Sequence, residues 1–230
     1  LPFGIAPNFL IDGGLYHVPM VVEESSVVAA AAKSAKFWAA HGGFRTVSLT
    51  TVKRGQVHFT YSGDAGQLQS RFAGFRKQLE AALQPVTRRM EARGGGLKAT
   101  RLVDMRHEMP GYFQLDMDFE TVDSMGANFI NTVLEKAAQS LTAYFTTPSP
   151  EILMAILSNY TPESKVVMKL EAPFSALSGL GAGLSGQAFA EKFRKATEVA
   201  RISPSRAVTH NKGIMNGADA VVLATGNDFR

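Results

Sequence analysis

The sequence predicts an α/β protein of the α+β type, with a small ferredoxin-like domain inserted into a larger domain of helices and sheet that is incomplete here. Three observations favour this fold. Residues 64–90 and 124–145 carry apolar side chains every three or four positions, the period of amphipathic helices. Residues 112–120 instead alternate between apolar and polar side chains, the period of a strand. The predicted elements follow the order strand, helix, strand, strand, helix, strand, which is typical of a split βαβ module.

Turn and cap residues set the limits of the individual elements. Ser25 or Ser26 can cap a first helix, and the glycines at 42 and 43 end it. Pro110 and Gly111 form a turn between two strands. The predicted helices are 24–41, 64–90 and 124–145, and the predicted strands are 57–61, 97–105, 112–120 and 165–170.

These elements predict two domains. The small ferredoxin-like domain covers residues 46–190, and residues 1–45 and 191–230 form part of the larger domain. On the strand over 112–120, Asp116 and Asp118 share one face and are predicted to belong to a solvated sheet surface rather than a metal pair.

The composition excludes several kinds of site. With 45% hydrophobic and 19% charged residues, the chain is predicted to fold. It contains no cysteine, which excludes disulfides, zinc–thiolate sites and cysteine nucleophiles. The histidines show no metal-ligand spacing, so no metal site is predicted. The net charge of +4 is modest, and the basic residues from Arg71 to Arg93 fit the solvated face of a helix, so no nucleic-acid partner is expected.

The two ends of the chain suggest a cytoplasmic protein that is cut short. The apolar residues 1–11 are interrupted by prolines and glycine and lack a basic leader, so neither a signal peptide nor a membrane span is expected. The chain has no initiator methionine, and it stops after a strand-like run and a Gly-Asn-Asp turn. We therefore expect truncation at both ends.

Residues 181–186 spell G-x-G-x-x-G, the pattern of a dinucleotide-binding turn. Two interpretations are open. In a Rossmann fold a strand leads directly into the glycines and an acidic residue follows about 20 positions later, whereas here residues 171–180 intervene and that acidic residue is missing. A flexible hinge before a helix over 187–200 fits the context better.

A second loop lies where a predicted strand passes into a helix. Asp123 or Ser124 can cap that helix, and backbone N–H groups at its start would face a bound phosphate. An aspartate there can equally accept hydrogen bonds from a ribose diol. The loop consists of Asp123, Ser124, Met125, Gly126, Ala127 and Asn128.

Two further segments place charged groups beside glycines and amides. Lys212 lies within Thr-His-Asn-Lys-Gly-Ile-Met-Asn-Gly, and Asp228 follows in Thr-Gly-Asn-Asp. A lysine paired with a carboxylate can polarise a carbonyl, although a surface lysine and a turn aspartate have the same spacing. Glu24 opens the first helix, where a carboxylate stabilises the helix dipole; proton donation would require burial.

In their joint order these segments resemble class II 3-hydroxy-3-methylglutaryl-CoA (HMG-CoA) reductases. The similarity runs along the whole chain through residues 21–30, 123–128, 209–217 and 224–228, of which the third motif is the most specific. The resemblance implies a large domain that binds HMG-CoA and an inserted small domain that binds the nicotinamide cofactor.

The resemblance also implies roles for individual residues. Glu24, Lys212 and Asp228 are similar to the family's catalytic residues and form one coupled network. Asp123, within the 123–128 loop, resembles the residue that holds the cofactor ribose. Positions that contact the HMG moiety in the family correspond to Ser26, Arg206 and Asn216.

The implied reaction is the reduction of HMG-CoA to mevalonate and CoA by two hydride transfers, a step of isoprenoid synthesis. Lys212 would stabilise the developing alkoxide and Glu24 would supply a proton to the aldehyde. Because the carboxylate of Asp123 would repel a 2′-phosphate, the resemblance favours NADH, with NADPH also possible. A homodimer or higher oligomer is implied, since the family's active sites form across a subunit interface.

Three departures from the family pattern stand out. Ser25 replaces a usual proline, and Ser124 replaces a usual alanine. The family's histidine that protonates the CoA thiolate lies beyond residue 230, and His210 belongs to the lysine motif instead. An N-terminal segment that helps to bind CoA and to form the dimer in the family is also expected to be absent. The alternative prediction is therefore a fragment that folds and binds nucleotide without turnover.

Overall fold

A computed structural model describes residues 1–181 and 183–228. They form two compact units: the flanking unit, Leu1–Ser48 with Val167–Arg230, and the inserted unit, Leu49–Val166. The strands are β1 (Phe3–Ile11), β2 (Gly14–Val21), β3 (Arg45–Thr60), β4 (Gly96–Asp104), β5 (Tyr112–Glu120), β6 (Glu151–Leu157) and β7 (Ser164–Lys169). The helices are α1 (Ser25–Ala39), α2 (Ala65–Glu91), α3 (Ala127–Tyr144), α4 (Gly186–Ile202) and α5 (Pro204–Ala224), with a 3₁₀ turn at Phe174–Leu177. This mixture of helix and strand confirms the predicted class.

The inserted unit has the predicted ferredoxin-like arrangement. Its sheet runs in the order β4-β5-β3-β6, and each of these neighbouring pairs is antiparallel. Helices α2 and α3 pack against one face of this sheet, because their apolar stripes meet the inward side chains of β3 and β5. The long helix α2 is capped by Asp64, the first residue of the predicted helix, whose carboxylate accepts a hydrogen bond from the backbone N–H of Gln67 at 2.7 Å.

The last strand of this module was predicted at the wrong place. The fourth strand is β6, which pairs with the C-terminal half of β3; the strand predicted over 165–170 is β7, which pairs with β3 outside the main strand order. The two strands both fit because β3 is much longer than the predicted 57–61. Its first half places Val47 and Leu49 in alternation with polar residues, a strand pattern that the prediction overlooked.

The core of the inserted unit is large and contains many aromatic rings. Between β3 and α3 the packing is so close that a methyl group on Gly55 would lie 2.5 Å from Leu134 Cδ1. A larger residue cannot fit there without movement of the helix. The buried members of the core are Val57, Phe59, Tyr61, Leu68, Phe75, Leu79, Leu83, Phe113, Leu115, Met117, Phe119, Ile130, Val133, Leu134, Ala137, Ala138, Leu141 and Phe145.

The flanking unit begins with a hairpin that the periodicity missed. Strands β1 and β2 pair antiparallel around Asp12 and Gly13, whose φ angles of 47° and 84° suit a tight two-residue turn. The Asp12 carboxylate accepts hydrogen bonds from the backbone N–H and the hydroxyl of Thr46, at 2.8 and 2.7 Å. These two bonds lower the pKa of Asp12. Helix α1 packs on β1, and α5 packs on β2.

The C-terminal part of the chain differs from expectation in two respects. Helix α5 includes residues 220–224, so the apolar run near the chain end is helical rather than strand-like. The boundary of the inserted unit lies at 166/167 instead of 190, because the 3₁₀ turn packs against the start of α4. Gly186 permits this contact, since a Cβ there would lie 1.6 Å from the carbonyl oxygen of Phe174.

That contact gives the final glycine of the G-x-G-x-x-G run a packing role. Gly186 is the first residue of α4, and Ser185 caps the helix by accepting a hydrogen bond from the backbone N–H of Ala188 at 3.2 Å. Ala182, within the same run, lies outside the described residues. The hinge interpretation of this run stays a prediction.

Candidate active site

Helix α1 starts with a carboxylate and a hydroxyl that are paired. Glu24 occupies the N-cap position with an extended backbone, and its carboxylate accepts a hydrogen bond from Ser26 Oγ. Both side chains are exposed. The structure therefore brings together the predicted catalytic glutamate and one predicted substrate-binding residue at an accessible helix start.

Helix α5 carries three of the predicted residues. The segment around Lys212 is a continuous helix, so Lys212 and Asn216 are four residues apart on one face. Lys212 Nζ donates a hydrogen bond to Asn216 Oδ1 at 2.7 Å. Arg206 lies in the first turn of the same helix, and its backbone N–H donates to the capping Ser203. Thus the predicted catalytic lysine and one predicted substrate-binding amide form a second pair.

Asp228 lies past the end of α5, after a turn at Gly226 with φ of 72°. Like Lys212, it is exposed. Within residues 1–181 and 183–228, Glu24 pairs with Ser26 and Lys212 pairs with Asn216, and no salt bridge joins Glu24 to Lys212. All the predicted catalytic and HMG-contacting residues belong to the flanking unit, whereas the predicted cofactor loop belongs to the inserted unit.

The cofactor loop does not cap α3 in the predicted way. The helix starts at Ala127 rather than at 124, and the N-cap position is Gly126, which has φ of 77° and no side chain to offer. Ser124 turns back instead: its Oγ donates to the carbonyl of Thr121 at 2.8 Å. The prediction that Asp123 or Ser124 caps the helix is therefore wrong, because the loop closes on Thr121 before the helix begins.

A lysine on β3 holds this loop against the sheet by hydrogen bonds. Lys53 Nζ donates to Thr121 Oγ1 at 2.9 Å and to the carbonyl of Ser124 at 2.8 Å. Thr121 is fully buried and donates its own hydroxyl to the Ser124 carbonyl at 2.8 Å. On the other side, the backbone N–H of Val122 donates to the Glu120 carboxylate at 2.7 Å. Sequence reasoning missed Lys53, since a lysine inside a strand carries no special signal.

The outer surface of the loop suits a dinucleotide. Asp123 and Met125 are exposed, the latter by 67%. Because no side chain caps α3, the first backbone N–H groups of the helix are available to an anion such as a pyrophosphate. The Asp123 carboxylate can accept hydrogen bonds from ribose hydroxyls. These residues fit a nicotinamide dinucleotide.

The acidic residues of β5 are not a solvated surface, contrary to the sequence prediction. Asp118 accepts hydrogen bonds from Arg54 Nε at 2.9 Å and from Arg101 Nη1 at 2.7 Å. Asp116 is only 8% exposed and accepts a hydrogen bond from Gln56 at 2.8 Å. Burial alone would raise the pKa of Asp118, but the hydrogen bonds and charges of the two arginines outweigh it, so the pKa lies below its usual value. The prediction failed because the flanking arginines lie on other strands.

The flanking unit also contains a large apolar cavity of about 760 Å³ that sequence reasoning did not find. Residues of α1, the 3₁₀ turn and α4 line it, and the lining includes Phe37, Trp38, Leu180, Phe189 and Phe193. Among the described residues, no group of three His, Asp or Glu side chains could hold a metal ion.

The whole chain matches a known family. A family model for hydroxymethylglutaryl-coenzyme A reductase covers residues 1–230. The chain belongs to this family. The match includes every residue of the two hydrogen-bonded pairs, Asp228 and the 123–128 loop, and it confirms the resemblance drawn from the four ordered motifs.

Relatives and solved structures agree with this assignment to the HMG-CoA reductase family. The 3-hydroxy-3-methylglutaryl-coenzyme A reductase of Archaeoglobus fulgidus is 32% identical over 100% of this chain and 50% of its own length. A probable reductase of Borreliella burgdorferi is 31% identical over 100% of this chain and 51% of its own. The chain thus spans about half the length of these two relatives.

The fold matches a class II member of the family. The class II HMG-CoA reductase of Streptococcus pneumoniae, bound to NADPH in open conformations, superposes with a TM-score of 0.86 at 35% identity. The match covers 100% of this chain and 61% of that one. Among the described helices of the present chain, none is both long and apolar enough to cross a membrane.

Proposed function

We propose that this chain provides catalytic and cofactor-binding residues of an HMG-CoA reductase, which reduces HMG-CoA to mevalonate and CoA with NADH or NADPH. The observation that carries the proposal is the family match over residues 1–230, because it spans every candidate residue in order. The two hydrogen-bonded pairs on α1 and α5 support it, since each joins a proposed catalytic residue to a proposed substrate contact.

The reaction requires the proposed catalytic residues to stabilise a negative charge, to donate a proton and to keep the lysine charge in position. In the first stage the thioester carbonyl becomes a hemithioacetal alkoxide, and the Lys212 ammonium stabilises the charge that develops on that oxygen. The alkoxide then collapses, the C–S bond breaks, and CoA leaves as a thiolate that takes a proton from a general acid or from water. A second hydride adds to the aldehyde carbon while Glu24 supplies a proton to the aldehyde oxygen. Asp228 holds the charge of Lys212 in place. Ser26, Arg206 and Asn216 bind the HMG moiety and fix its carbonyl near Lys212.

The nicotinamide cofactor supplies the hydride when it is bound. In our proposal Asp123 accepts hydrogen bonds from a ribose diol, and the N–H groups from Gly126 to Asn128 face the pyrophosphate. Asp123 would lie near a 2′-phosphate and repel it, which favours NADH over NADPH. The S. pneumoniae relative is bound to NADPH, so the affinity of this chain should be measured for both cofactors.

Exposure of the catalytic residues motivates the proposed assembly. Glu24, Lys212 and Asp228 are all accessible in this chain, and a charge acts weakly on a developing alkoxide when water screens it. We propose that a second subunit covers them in a homodimer or higher oligomer, in the cytoplasm. Light scattering combined with gel filtration measures the oligomeric state; a monomer at working concentrations would contradict it.

The test of the activity is HMG-CoA-dependent oxidation of NADH and of NADPH, followed by absorbance. It should be run on the 230-residue chain and, where the natural polypeptide is longer, on that polypeptide. We expect turnover in the longer protein at least, with mevalonate as product. Absence of turnover in both proteins with both cofactors would refute the proposal.

Substitution of the lysine sharpens this test. Lys212→Ala removes the proposed electrostatic catalyst, and we expect kcat to fall by about a thousandfold or more. The control is Lys192→Ala, an exposed lysine on α4 outside the proposed site, which should leave kcat unchanged. Near-normal turnover in Lys212→Ala would remove the role assigned to Lys212 while leaving the family assignment intact.

A further inference from the structure

The cofactor loop adopts a backbone conformation that it would not keep unaided. Val122 has φ of 55°, in a region that β-branched residues avoid, and Gly126 has φ of 77°. A Cβ on Gly126 would lie 2.5 Å from Thr121 Cγ2, so the loop folds tightly over the threonine. A strained backbone of this kind persists only where surrounding contacts determine it.

Two charged side chains supply those contacts. Glu120 fixes one side by accepting hydrogen bonds from the backbone N–H of Val122 and the hydroxyl of Thr51. Lys53 fixes the other side through Thr121 Oγ1 and the Ser124 carbonyl. Burial lowers the pKa of the Lys53 ammonium, while the negative charge of Glu120 opposes that shift. Hydrogen bonds from a charged donor are stronger than neutral ones, so the ammonium is the main tie between β3 and the loop.

We infer that Lys53 is a positioning residue for the nicotinamide cofactor. It holds the cofactor loop in the conformation that presents Asp123 and the uncapped start of α3 to the dinucleotide. The inference rests on the proposed function, because it assumes that this loop binds the cofactor. Lys53 acts through Thr121 and Ser124 and needs no contact with the reacting atoms. Its loss should therefore weaken cofactor binding far more than it slows the chemical step.

The primary test compares Lys53→Met with a matched control. Methionine keeps an unbranched apolar side chain but removes the ammonium, and Lys136→Met makes the same change at an exposed position on α3. Titration of nicotinamide fluorescence, with the longest natural polypeptide containing this chain, gives Kd for NADH and NADPH. We expect Kd and the cofactor KM to rise about tenfold or more in Lys53→Met, with kcat and the KM for HMG-CoA changing less than threefold. Lys136→Met should match the wild type.

Two further variants distinguish a loss of loop positioning from a folding defect. Lys53→Arg retains charged donors, and the cavity of about 110 Å³ that Lys53 lines beside Met125 has room for the larger guanidinium, so most of the affinity should return. Thr121→Val keeps the shape of the buried side chain but removes the acceptor, and it should weaken binding as Lys53→Met does. Without nucleotide, amide hydrogen exchange over 122–126 should speed up about tenfold in Lys53→Met.

The possible failures are distinguishable. If the wild-type protein binds neither NADH nor NADPH, the proposed function fails and takes this inference with it. If the wild type binds and both Lys53→Met and Thr121→Val bind equally well, the inference alone is overturned. A rise in Kd that Lys53→Arg does not reduce would also count against it, because the tie would then not depend on a positive charge.

Discussion

The inserted and flanking units bury very different amounts of apolar surface. Among the described residues, the inserted unit contains a cluster of 18 buried hydrophobic side chains between its sheet and two helices, whereas the flanking unit contains a cluster of four. In the flanking unit large apolar side chains such as Phe3, Phe193 and Val208 remain more than 60% exposed. Since buried apolar area is the main stabilising contribution to folding, the inserted unit is expected to be the more stable of the two.

The two units also differ in the functions proposed for them. The proposed catalytic residues, Glu24, Lys212 and Asp228, belong to the unit with the smaller core, and the proposed cofactor loop belongs to the unit with the larger one. Elements that must accommodate a large substrate are commonly drawn from the less stable parts of a protein. The cofactor loop, in contrast, is held to the sheet by hydrogen bonds from Lys53 and to Glu120.

The largest expected effect comes from the same substitution made in each unit. Phe75 is fully buried, and its ring lies 5.5 Å from that of Tyr144 and 5.9 Å from that of Phe145, whereas Phe193 is 66% exposed. Phe75→Ala should lower the free energy of unfolding by about 3–5 kcal/mol, because it leaves a cavity in the core. Phe193→Ala should change it by less than about 0.5 kcal/mol. Urea denaturation followed by circular dichroism measures both; similar losses would contradict the comparison.

Substitutions at two glycines should change the free energy of unfolding by smaller amounts, and in opposite directions. Gly55→Ala should destabilise the inserted unit by about 1–3 kcal/mol, since the new methyl group collides with Leu134. Gly213 lies within α5 with open space around it, so Gly213→Ala should stabilise the flanking unit by about 0.5–1 kcal/mol through helix propensity. The same denaturation experiment measures both, and a loss of stability in Gly213→Ala would show that the flanking unit is packed more tightly there than described.

The smallest effect concerns pH. The pKa of Asp118 is lowered in the folded state, so its carboxylate contributes stability above the unfolded-state pKa of about 3.9, and that contribution disappears as the pH falls through the folded-state pKa. The stability of the inserted unit should therefore decline below about pH 4 more steeply in the wild type than in Asp118→Asn. Thermal unfolding at several acidic pH values measures this; parallel curves for the two proteins would exclude a role for Asp118.

Much of the inserted unit could be predicted from periodicity because its helices are long and its sheet has one buried face. Helices α2 and α3 and strands β4 and β5 fall within three residues of their predicted limits. Strand β6 was missed because Ile152, Leu153, Met154 and Ile156 form a short apolar run without alternation, and such a run does not distinguish a strand from a helix.

The flanking unit was harder to predict for reasons that its residues make clear. The Asp12-Gly13 dipeptide is a strong hairpin signal, but prolines and glycines around it suggested only an interrupted apolar stretch. In α5 two glycines hid a continuous helix, which forms because it packs on β2 and is capped by Ser203. The roles of Glu24, Lys212 and Asp228 came from the resemblance, and no spacing in the sequence would have supplied them; they stay predictions.

The way the cofactor loop is built separates the positions that can vary from those that cannot. A Cβ on Gly126 would lie 2.5 Å from Thr121 Cγ2, so neither position tolerates a larger side chain, while Asp123 and Met125 are exposed. Saturation mutagenesis aimed at switching the preference between NADH and NADPH should therefore randomise 123 and 125 together and leave 121 and 126 untouched. Most members of such a library should fold, so that selection acts on cofactor recognition rather than on recovery of the protein.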